Sequence, residues 1–441
     1  MSAPDLLQPG AAVAADRRPP RWFRVAWFLG RPPPLERRQW LVLGLVSAVS
    51  FFEQYDLYLF SLNLQQIQTS LNIAEADVAW LGSMVRAGAL FAFLVTMAAD
   101  RLGRRRVLLL TVLAYTLCTA ATALAPNAQA FVVLQFLARV FAVAEALLAT
   151  VVIVEEFPPE HRGWGVGAAA AIMACGAGTA ALLFGFVDVL PYGWRALYAI
   201  GVIPLLLIAR WRRMLPETKR FVELAQQRDG LPRWLPQVKE LLTTYGGRFL
   251  AITSTSFILS FGLSGVGFFQ VKYLQNVHGW SPGWVSVLVV VGGAFAILAN
   301  PIAGRLSDRH GRRRLAIMFG VMTTVTAVLF YQVSGPWVPL FWVLYLFAQF
   351  GADTTLSTYG AELFPTSLRS TATGVRSFLS TLGGISGLAV VALLFKVLGS
   401  NWAAVSALAT VTALVPLIVW FAFRETAGRK LEDIAPEISG R

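Results

Sequence analysis

The stretch that decides the fold occurs twice in this chain. Residues 100–106 read DRLGRRR, and residues 308–314 read DRHGRRR, an offset of 208 positions. A second motif, EEFP at residues 155–158, returns as ELFP at residues 362–365, an offset of 207 positions. Two separate motifs whose offsets agree to one residue indicate an internal duplication, in which both halves of the chain are built alike.

The composition around these motifs is typical of a polytopic membrane protein. Of the 441 residues, 56% are hydrophobic and 14% are charged, whereas soluble proteins carry about 25% charged residues. A net charge of +13 could suggest nucleic-acid binding, but the basic residues occur in short groups between apolar runs, as in membrane loops. We therefore exclude nucleic acid as a partner and expect the lipid bilayer instead.

The apolar runs predict an all-α membrane protein with twelve transmembrane helices in two pseudo-symmetric six-helix bundles, since each span needs roughly 20 apolar residues. The predicted units are an N-terminal tail at 1–39, a bundle at 40–215, a loop at 216–247, a second bundle at 248–423 and a C-terminal tail at 424–441.

The basic residues predict the orientation. Of the 37 Lys and Arg residues, 31 fall in the two tails and in the loops of one side, and three fall in the loops of the other side. Because cytoplasmic loops retain positive charge, we expect both termini and the loop at 216–247 to be cytoplasmic. We expect a monomer in a plasma membrane, specifically a bacterial inner membrane.

The repeated loop resembles that of the major facilitator superfamily, whose form is G-x-x-x-D-R/K-x-G-R-R/K. Residues 304–313 match this form fully, and the first copy departs from it at Thr96, where the family has Gly. The resemblance implies a gating role on the cytoplasmic side for both loops and for the two acidic motifs that follow them. The residues concerned are Asp100, Arg101, Gly103, Arg104, Asp308, Arg309, Gly311, Arg312, Glu155, Arg162, Glu362 and Arg369.

Two further elements resemble those of sugar porters and of their organic-anion and metabolite relatives. They are PETKRF at residues 216–221 and RETAGRKLE at residues 424–432, where the first Arg replaces a Pro of that family. The resemblance implies that their glutamates bridge to arginines near the repeated loops. The predicted ion-pair network consists of Glu217, Glu425, Arg162 and Arg369. The alternative is a set of surface pairs that contribute little to stability.

Seven ionisable side chains fall inside predicted spans, where charge is costly and therefore indicates function. They are Glu53, Asp56, Arg86, Arg139, Glu145, Asp353 and Arg376. A helix rises 1.5 Å per residue, which places four of these charges roughly 20 to 26 Å from the cytoplasmic helix ends, in one layer. These four are Glu53, Asp56, Arg86 and Arg139. Asp353 and Arg376 lie nearer the cytoplasm and form a plausible second pair.

Glu53, Asp56 and Asp353 are the candidates for proton coupling. Glu53 and Asp56 are three residues apart and share a helix face. Two neighbouring carboxylates cannot both ionise at low cost, so one of them can gain and lose a proton. Residues 52–56 also resemble the D-x-[FY]-D element of aromatic-acid proton symporters, although Glu and Gln54 depart from it, and this implies a substrate contact for Tyr55. The alternative is a static salt bridge within the first bundle.

The candidates for substrate binding are Arg139, Tyr55, Arg86, Gln349 and Arg376. A guanidinium can bind a carboxylate through two parallel hydrogen bonds. The alternatives are that Arg139 pairs with Asp56 alone and that Arg86 pairs with Glu53. Polar side chains four residues apart form a stripe on the seventh helix (Ser256, Ser260, Ser264) and on the tenth (Gln349, Asp353, Ser357). Such serines line a cavity or pack helices together.

These features favour a secondary transporter that works by alternating access, specifically a proton-coupled importer of a small organic anion. A sugar or polyol transporter is the alternative, but only Gln270 stands where sugar porters have paired glutamines in the seventh helix. A third hypothesis is a sensor that transports nothing. The sequence also allows a transporter that exports its substrate. The chain has no nucleotide-binding or hydrolase motif, and its three histidines do not cluster. We expect no enzyme activity, cofactor or metal site.

Overall fold

The computed structural model describes residues 19–24, 26–102, 104–211 and 234–427. Within these ranges the chain forms helices and no strand, because a helix satisfies its backbone polar groups within one apolar segment. The α-helices are α1 (Arg37–Leu62), α2 (Leu64–Ser70), α3 (Val78–Leu102), α4 (Arg104–Ala123), α5 (Ala128–Glu156), α6 (Arg162–Phe184), α7 (Trp194–Trp211), α8 (Trp234–Thr244), α9 (Gly246–Asn276), α10 (Pro282–His310), α11 (Arg312–Phe330), α12 (Trp337–Glu362), α13 (Thr366–Leu398), α14 (Asn401–Ala409) and α15 (Leu414–Ala422).

Nine helical stretches of the described chain are long and apolar enough to cross a membrane, with α14 and α15 counted as one stretch. The helices α1 and α12 occupy the predicted first and tenth spans without meeting that measure. In α7, at the predicted sixth span, only residues 194–202 have described side chains. Both α1 and α12 carry acidic side chains in their central turns, which lowers their apolar character. The helices confirm an all-α, multi-pass membrane protein.

Glycines and a polar cap set several helix boundaries. Asn127 begins α5, where its side chain accepts a hydrogen bond of 2.8 Å from the backbone N–H of Ala130. Gly311 separates α10 from α11 with a φ of +100°, and Gly399 ends α13 with a φ of +66°. Residues that carry a Cβ atom rarely adopt a positive φ, so glycine is the residue suited to both of these turns.

The same close helix contact occurs once in each half. A Cβ atom on Gly176 of α6 would lie 2.0 Å from the carbonyl oxygen of Phe51 in α1. A Cβ atom on Gly383 of α13 would lie 2.4 Å from the carbonyl oxygen of Phe257 in α9. Small residues of this kind allow membrane helices to approach backbone to backbone. The equivalent positions follow the offset of the sequence repeat, so the two halves share one packing scheme.

The halves meet along four helix pairs of the described chain, α3 with α13, α6 with α10, α1 with α9 and α2 with α9. Each half otherwise packs mainly within itself, with α1 on α6 and α3 on α5 in the first half and α9 on α13 and α11 on α12 in the second. Much of the connecting stretch 216–247 lies outside the described residues, so the boundaries of the two bundles stay a prediction.

Candidate functional site: two polar cavities in the membrane interior

A polar cavity of about 420 Å³ lies against the second half of the protein. Three helices contribute polar residues at helical spacing, so each presents one stripe to the cavity. The polar lining residues are Ser256, Ser260 and Ser264 of α9, Tyr345, Gln349, Asp353 and Ser357 of α12, Arg376, Ser377 and Ser380 of α13, and Arg86 of α3. We call this space the hydroxyl-lined cavity. Both predicted serine-containing stripes line it.

Arg86 reaches this cavity from the other half of the protein. Its helix, α3, packs against α13, and its guanidinium carbon lies 5.8 Å from the centre of the Phe268 ring on α9. That distance allows a cation–π interaction, which is stronger where water is excluded. Arg86 therefore links the two halves at the wall of the hydroxyl-lined cavity.

Asp353 and Arg376 face each other across the same cavity. They attract one another electrostatically, and Nη2 of Arg376 donates a hydrogen bond of 3.3 Å to the hydroxyl of Ser357. The hydroxyl of Ser256 is buried without a hydrogen-bond partner in the described structure. With Arg86 included, the lining carries two guanidinium groups and one carboxyl group, together with several hydroxyl donors. This arrangement suits a small anion with further polar groups.

A second, smaller pocket of about 30 Å³ lies in the first half, between α1, α4 and α5. Glu53, Asp56, Tyr115, Gln135 and Arg139 line it, so three of the four charges predicted to share one layer do lie together. Arg139 is within electrostatic range of Glu53. We call this space the carboxyl pocket.

Asp56 is the most enclosed acid of the carboxyl pocket. It is 5% exposed, and its Oδ2 atom accepts a hydrogen bond of 3.1 Å from the hydroxyl of Thr119 on α4. Its Oδ1 atom has no hydrogen-bond partner in the described structure, and neither has Nε of Arg139. Asp56 is thus a buried acid for which Thr119 is the one donor with a described hydrogen-bond distance.

Tyr55, predicted to contact the substrate, lines neither of these two cavities. Its hydroxyl donates a hydrogen bond of 2.9 Å to the carbonyl oxygen of Leu197 on α7, and its ring packs against Gly201. Tyr55 directly precedes Asp56, and neighbouring helix positions point about 100° apart, so the two side chains cannot share a face. Tyr55 holds α1 against α7.

The repeated loop of the second half forms a compact ion-pair cluster. Nη2 of Arg312 lies 3.1 Å from Oδ1 of Asp308 and 2.6 Å from Oε1 of Glu362. The hydroxyl of Thr426 donates a hydrogen bond of 2.8 Å to Oε2 of Glu362. The turn before α11, the end of α12 and the segment after α15 are thereby joined. We call the side of the protein that carries this cluster the arginine-rich side.

Glu425 has a different partner from the predicted one. Its carboxylate accepts hydrogen bonds from the backbone N–H groups of Arg312 and Arg313, at 2.8 and 3.2 Å, and so caps the start of α11. Burial acts to raise the pKa of Glu425, but these bonds and two from Thr426 and Ala427 outweigh it and lower that pKa. The predicted bridge to an arginine side chain is replaced by a helix cap.

The remaining predicted gating residues are spread along the arginine-rich side. Arg309 lines a surface cavity there, Nε of Arg162 donates to the carbonyl oxygen of Phe157, and Nε of Arg369 is buried without a described partner. Gly103 and Glu217 lie outside the described residues. The side chains of Asp100, Arg101, Arg104 and Glu155 also lie outside the described part of the structure.

A contact that the sequence analysis missed joins the halves on the opposite side. Nζ of Lys272, at the end of α9, lies 2.6 Å from Oε2 of Glu75, which precedes α3. Asn401 donates a hydrogen bond of 2.8 Å to Oε1 of the same carboxylate, and Lys272 is fully buried. No motif marks this site. The available signal was that Lys272 is one of the three basic residues in the loops of that side.

The fold and the site define a class of protein. Two like groups of apolar helices enclose buried charges and hydroxyl groups, and ion pairs join the helices on both sides of the membrane. This arrangement is that of a polytopic membrane transporter, whose polar groups lie where helices of the two halves meet.

The chain belongs to the Major Facilitator Superfamily, which it matches over residues 46–297 and 252–438. It is 27% identical to the cis,cis-muconate transport protein of Acinetobacter baylyi (strain ATCC 33305 / BD413 / ADP1), over 74% of this chain and 81% of that protein. It is 26% identical to the niacin transporter NiaP of the same organism, over 91% of this chain and 97% of that protein. Among solved structures, a D-xylose–proton symporter superposes with a TM-score of 0.73 at 18% identity, covering 88% of this chain and 99% of that one.

Proposed function

We propose that this transporter imports a small organic anion together with protons, by alternating access. The single observation that carries the proposal is the hydroxyl-lined cavity, in which Arg86 and Arg376 face one space with Asp353. One carboxyl group cannot neutralise two guanidinium groups, so an anionic substrate would complete the charge balance. Muconate and niacin, the solutes in the names of two relatives, are small organic acids, and this supports an anionic substrate.

The proton would be carried by the carboxyl pocket. Asp56 is enclosed and incompletely hydrogen-bonded, which suits a carboxyl that gains and loses a proton during each cycle. Asp353 is a second candidate, because it shares the hydroxyl-lined cavity with Arg376. In this proposal both termini lie in the cytoplasm of a bacterial cell, and the arginine-rich side is the cytoplasmic side.

A sugar or polyol substrate is the alternative, and the number of serine hydroxyls in the cavity favours it. The amide of Gln270, the residue nearest to a sugar-porter glutamine, points elsewhere. Its oxygen accepts a hydrogen bond of 3.0 Å from the indole N–H of Trp342, so it is engaged within the helix packing.

The deciding experiment measures binding to the purified protein. Cis,cis-muconate, nicotinate and D-xylose are each titrated against the thermal unfolding midpoint, at an acidic and at a neutral pH. Because a charged hydrogen bond is worth about 1.5 to 3 kcal/mol, Arg376→Gln should weaken anion binding at least about tenfold. Lys396→Gln removes an exposed cation from the same helix outside the cavity and should leave binding unchanged. Stabilisation by D-xylose alone would reject the anion and support the sugar.

A further inference from the structure

A basic cavity of about 580 Å³ lies at the arginine-rich end of the second half, apart from both transport cavities. The α10–α11 turn, the first turn of α11 and the end of α15 form its walls. The basic residues in these walls are Arg309, His310, Arg313 and Arg314. Asp308 and Glu425 are the acidic residues of the same lining.

Both acids of this cavity are already engaged. Asp308 pairs with Arg312, and Glu425 caps the backbone of α11. Arg309 and Arg314 are exposed and pair with no acid in the described part of the chain. The guanidinium of Arg313 lies 5.2 Å from the ring of Trp420 and donates from Nη2 to the Trp420 carbonyl oxygen, while its Nε atom is buried without a described hydrogen-bond partner. The cavity therefore presents uncompensated positive charge and open hydrogen-bond donors.

Large exposed apolar side chains lie beside the cavity-lining residues Ile317 and Trp420 in the chain. Trp420 and Phe421, in the last turn of α15, are 58% and 82% exposed. Met318 and Val321 are exposed on the neighbouring α11, one to two turns beyond the basic residues. Exposed apolar side chains on a membrane protein face acyl chains, and Trp is enriched at the level of the lipid headgroups. The cavity thus lies at the boundary between headgroups and acyl chains.

We propose that this cavity binds the headgroup of an acidic phospholipid, with the acyl chains lying against Met318, Val321 and Phe421. A phosphate diester offers acceptor oxygens to guanidinium groups in the geometry that arginine favours. Clusters of basic residues beside a membrane span attract anionic lipid, and each contributes while it lies within a Debye length of the surface. A free phosphate would use the same donors but would leave the exposed apolar side chains without a partner.

The test compares lipids on the purified full-length protein. Dioctanoyl phosphatidylglycerol, dioctanoyl phosphatidylcholine and inorganic phosphate are titrated separately against the thermal unfolding midpoint. We expect phosphatidylglycerol alone to raise that midpoint, by at least about 3 °C at saturation. In the double variant Arg309→Gln/Arg314→Gln this rise should disappear, and the amount of phosphatidylglycerol that copurifies from mixed-lipid membranes should fall.

The matched control is Arg37→Gln/Arg106→Gln, which removes two exposed arginines from the first half. It should keep the full response to phosphatidylglycerol. Equal stabilisation by phosphatidylcholine would overturn the headgroup site, and stabilisation by inorganic phosphate alone would replace the lipid by a soluble phosphate compound. An unchanged response in the arginine variant would place the lipid elsewhere. None of these outcomes depends on the substrate, so they test the cavity separately from the proposed transport function.

Discussion

Asp56 illustrates how single residues in the membrane interior acquire their roles. The carboxyl is buried against α4, where Thr119 supplies one donor, and its other oxygen has none in the described structure. An ionised carboxylate in that position lacks the hydrogen bonds that water would provide. Protonation would remove that charge, and for this reason we propose Asp56 as a proton-binding residue.

Replacing Asp56 by Asn tests this role. Asp56→Asn keeps the size and polarity of the side chain but cannot release a proton in the physiological range. We expect accumulation driven by a pH gradient in proteoliposomes to fall at least about a hundredfold, which corresponds to ~2.7 kcal/mol of lost coupling. Exchange of substrate at equal concentrations should persist. Asp56→Glu, which restores a carboxyl, should recover part of the accumulation, and normal accumulation by Asp56→Asn would exclude the proposed role.

For single residues, the sequence predicted which ionisable side chains lie inside the membrane, but it did not predict the direction in which every side chain points. Glu53 and Asp56 share the carboxyl pocket, as their spacing of three requires. The motif resemblance placed Tyr55 with the substrate, whereas its hydroxyl bonds to α7. A motif records residue types along the chain, and the rotation of the helix decides which side chain reaches which neighbour.

Among the elements, the glycine contacts between α1 and α6 and between α9 and α13 show why the helices pack as they do. Association in a bilayer gains little from the hydrophobic effect, because lipid tails are as apolar as the side chains they replace. Close backbone approach provides dispersion contacts instead. Gly383 and Gly176 occupy equivalent places, so the duplicated sequence encodes one helix contact twice.

A substitution at Gly383 should therefore destabilise the second half. A Cβ atom there would lie 2.4 Å from the carbonyl oxygen of Phe257, so Gly383→Ala forces the two helices apart. Overpacking of this kind costs about 1 to 3 kcal/mol, and we expect the thermal unfolding midpoint to fall.

Gly374 provides the matched control, because it lies on the same helix and a Cβ atom there meets nothing within 4 Å. Gly374→Ala should be neutral or stabilising by up to about 1 kcal/mol, from helix propensity. Equal effects of the two variants in thermal unfolding would show that the α9–α13 contact is not tight.

For the whole molecule, the buried contact of Lys272 with Glu75 relates the two halves to each other. It joins the end of α9 to the segment before α3, and Asn401 adds a third element. All three lie on the side opposite the arginine-rich side. In the proposed alternating-access cycle the halves separate on this side to expose the hydroxyl-lined cavity, so we expect this contact to stabilise the closed form.

Removing the positive charge of Lys272 should shift the equilibrium between the closed and open forms of this side. In Lys272→Gln the opposite side should open more often, and a Cys introduced at Ser264 should react faster with an impermeant maleimide added from that side. Because Glu75 is partly exposed, we expect about a fivefold increase in rate, which corresponds to ~1 kcal/mol. The background for this measurement has the native Cys118 and Cys175 replaced by Ser.

Lys396→Gln serves as the control, since it removes an exposed cation near the same side. Its labelling rate should match that of the parent protein. A rate in Lys272→Gln no higher than in this control would mean that other contacts, such as the 2.7 Å hydrogen bond between Gln66 and Gln275, hold that side closed.

The sequence by itself determined that the chain is a multi-pass helical membrane protein with a duplicated architecture. Apolar runs, repeat offsets and the placement of basic residues are local properties, and each can be counted along the chain. Only the tertiary structure decided that Arg86 of one half faces the cavity of the other, that Glu425 caps α11 and that Lys272 meets Glu75. These contacts depend on how each helix is rotated and which helices it adjoins, and such rotations result from packing between segments that lie far apart in the chain.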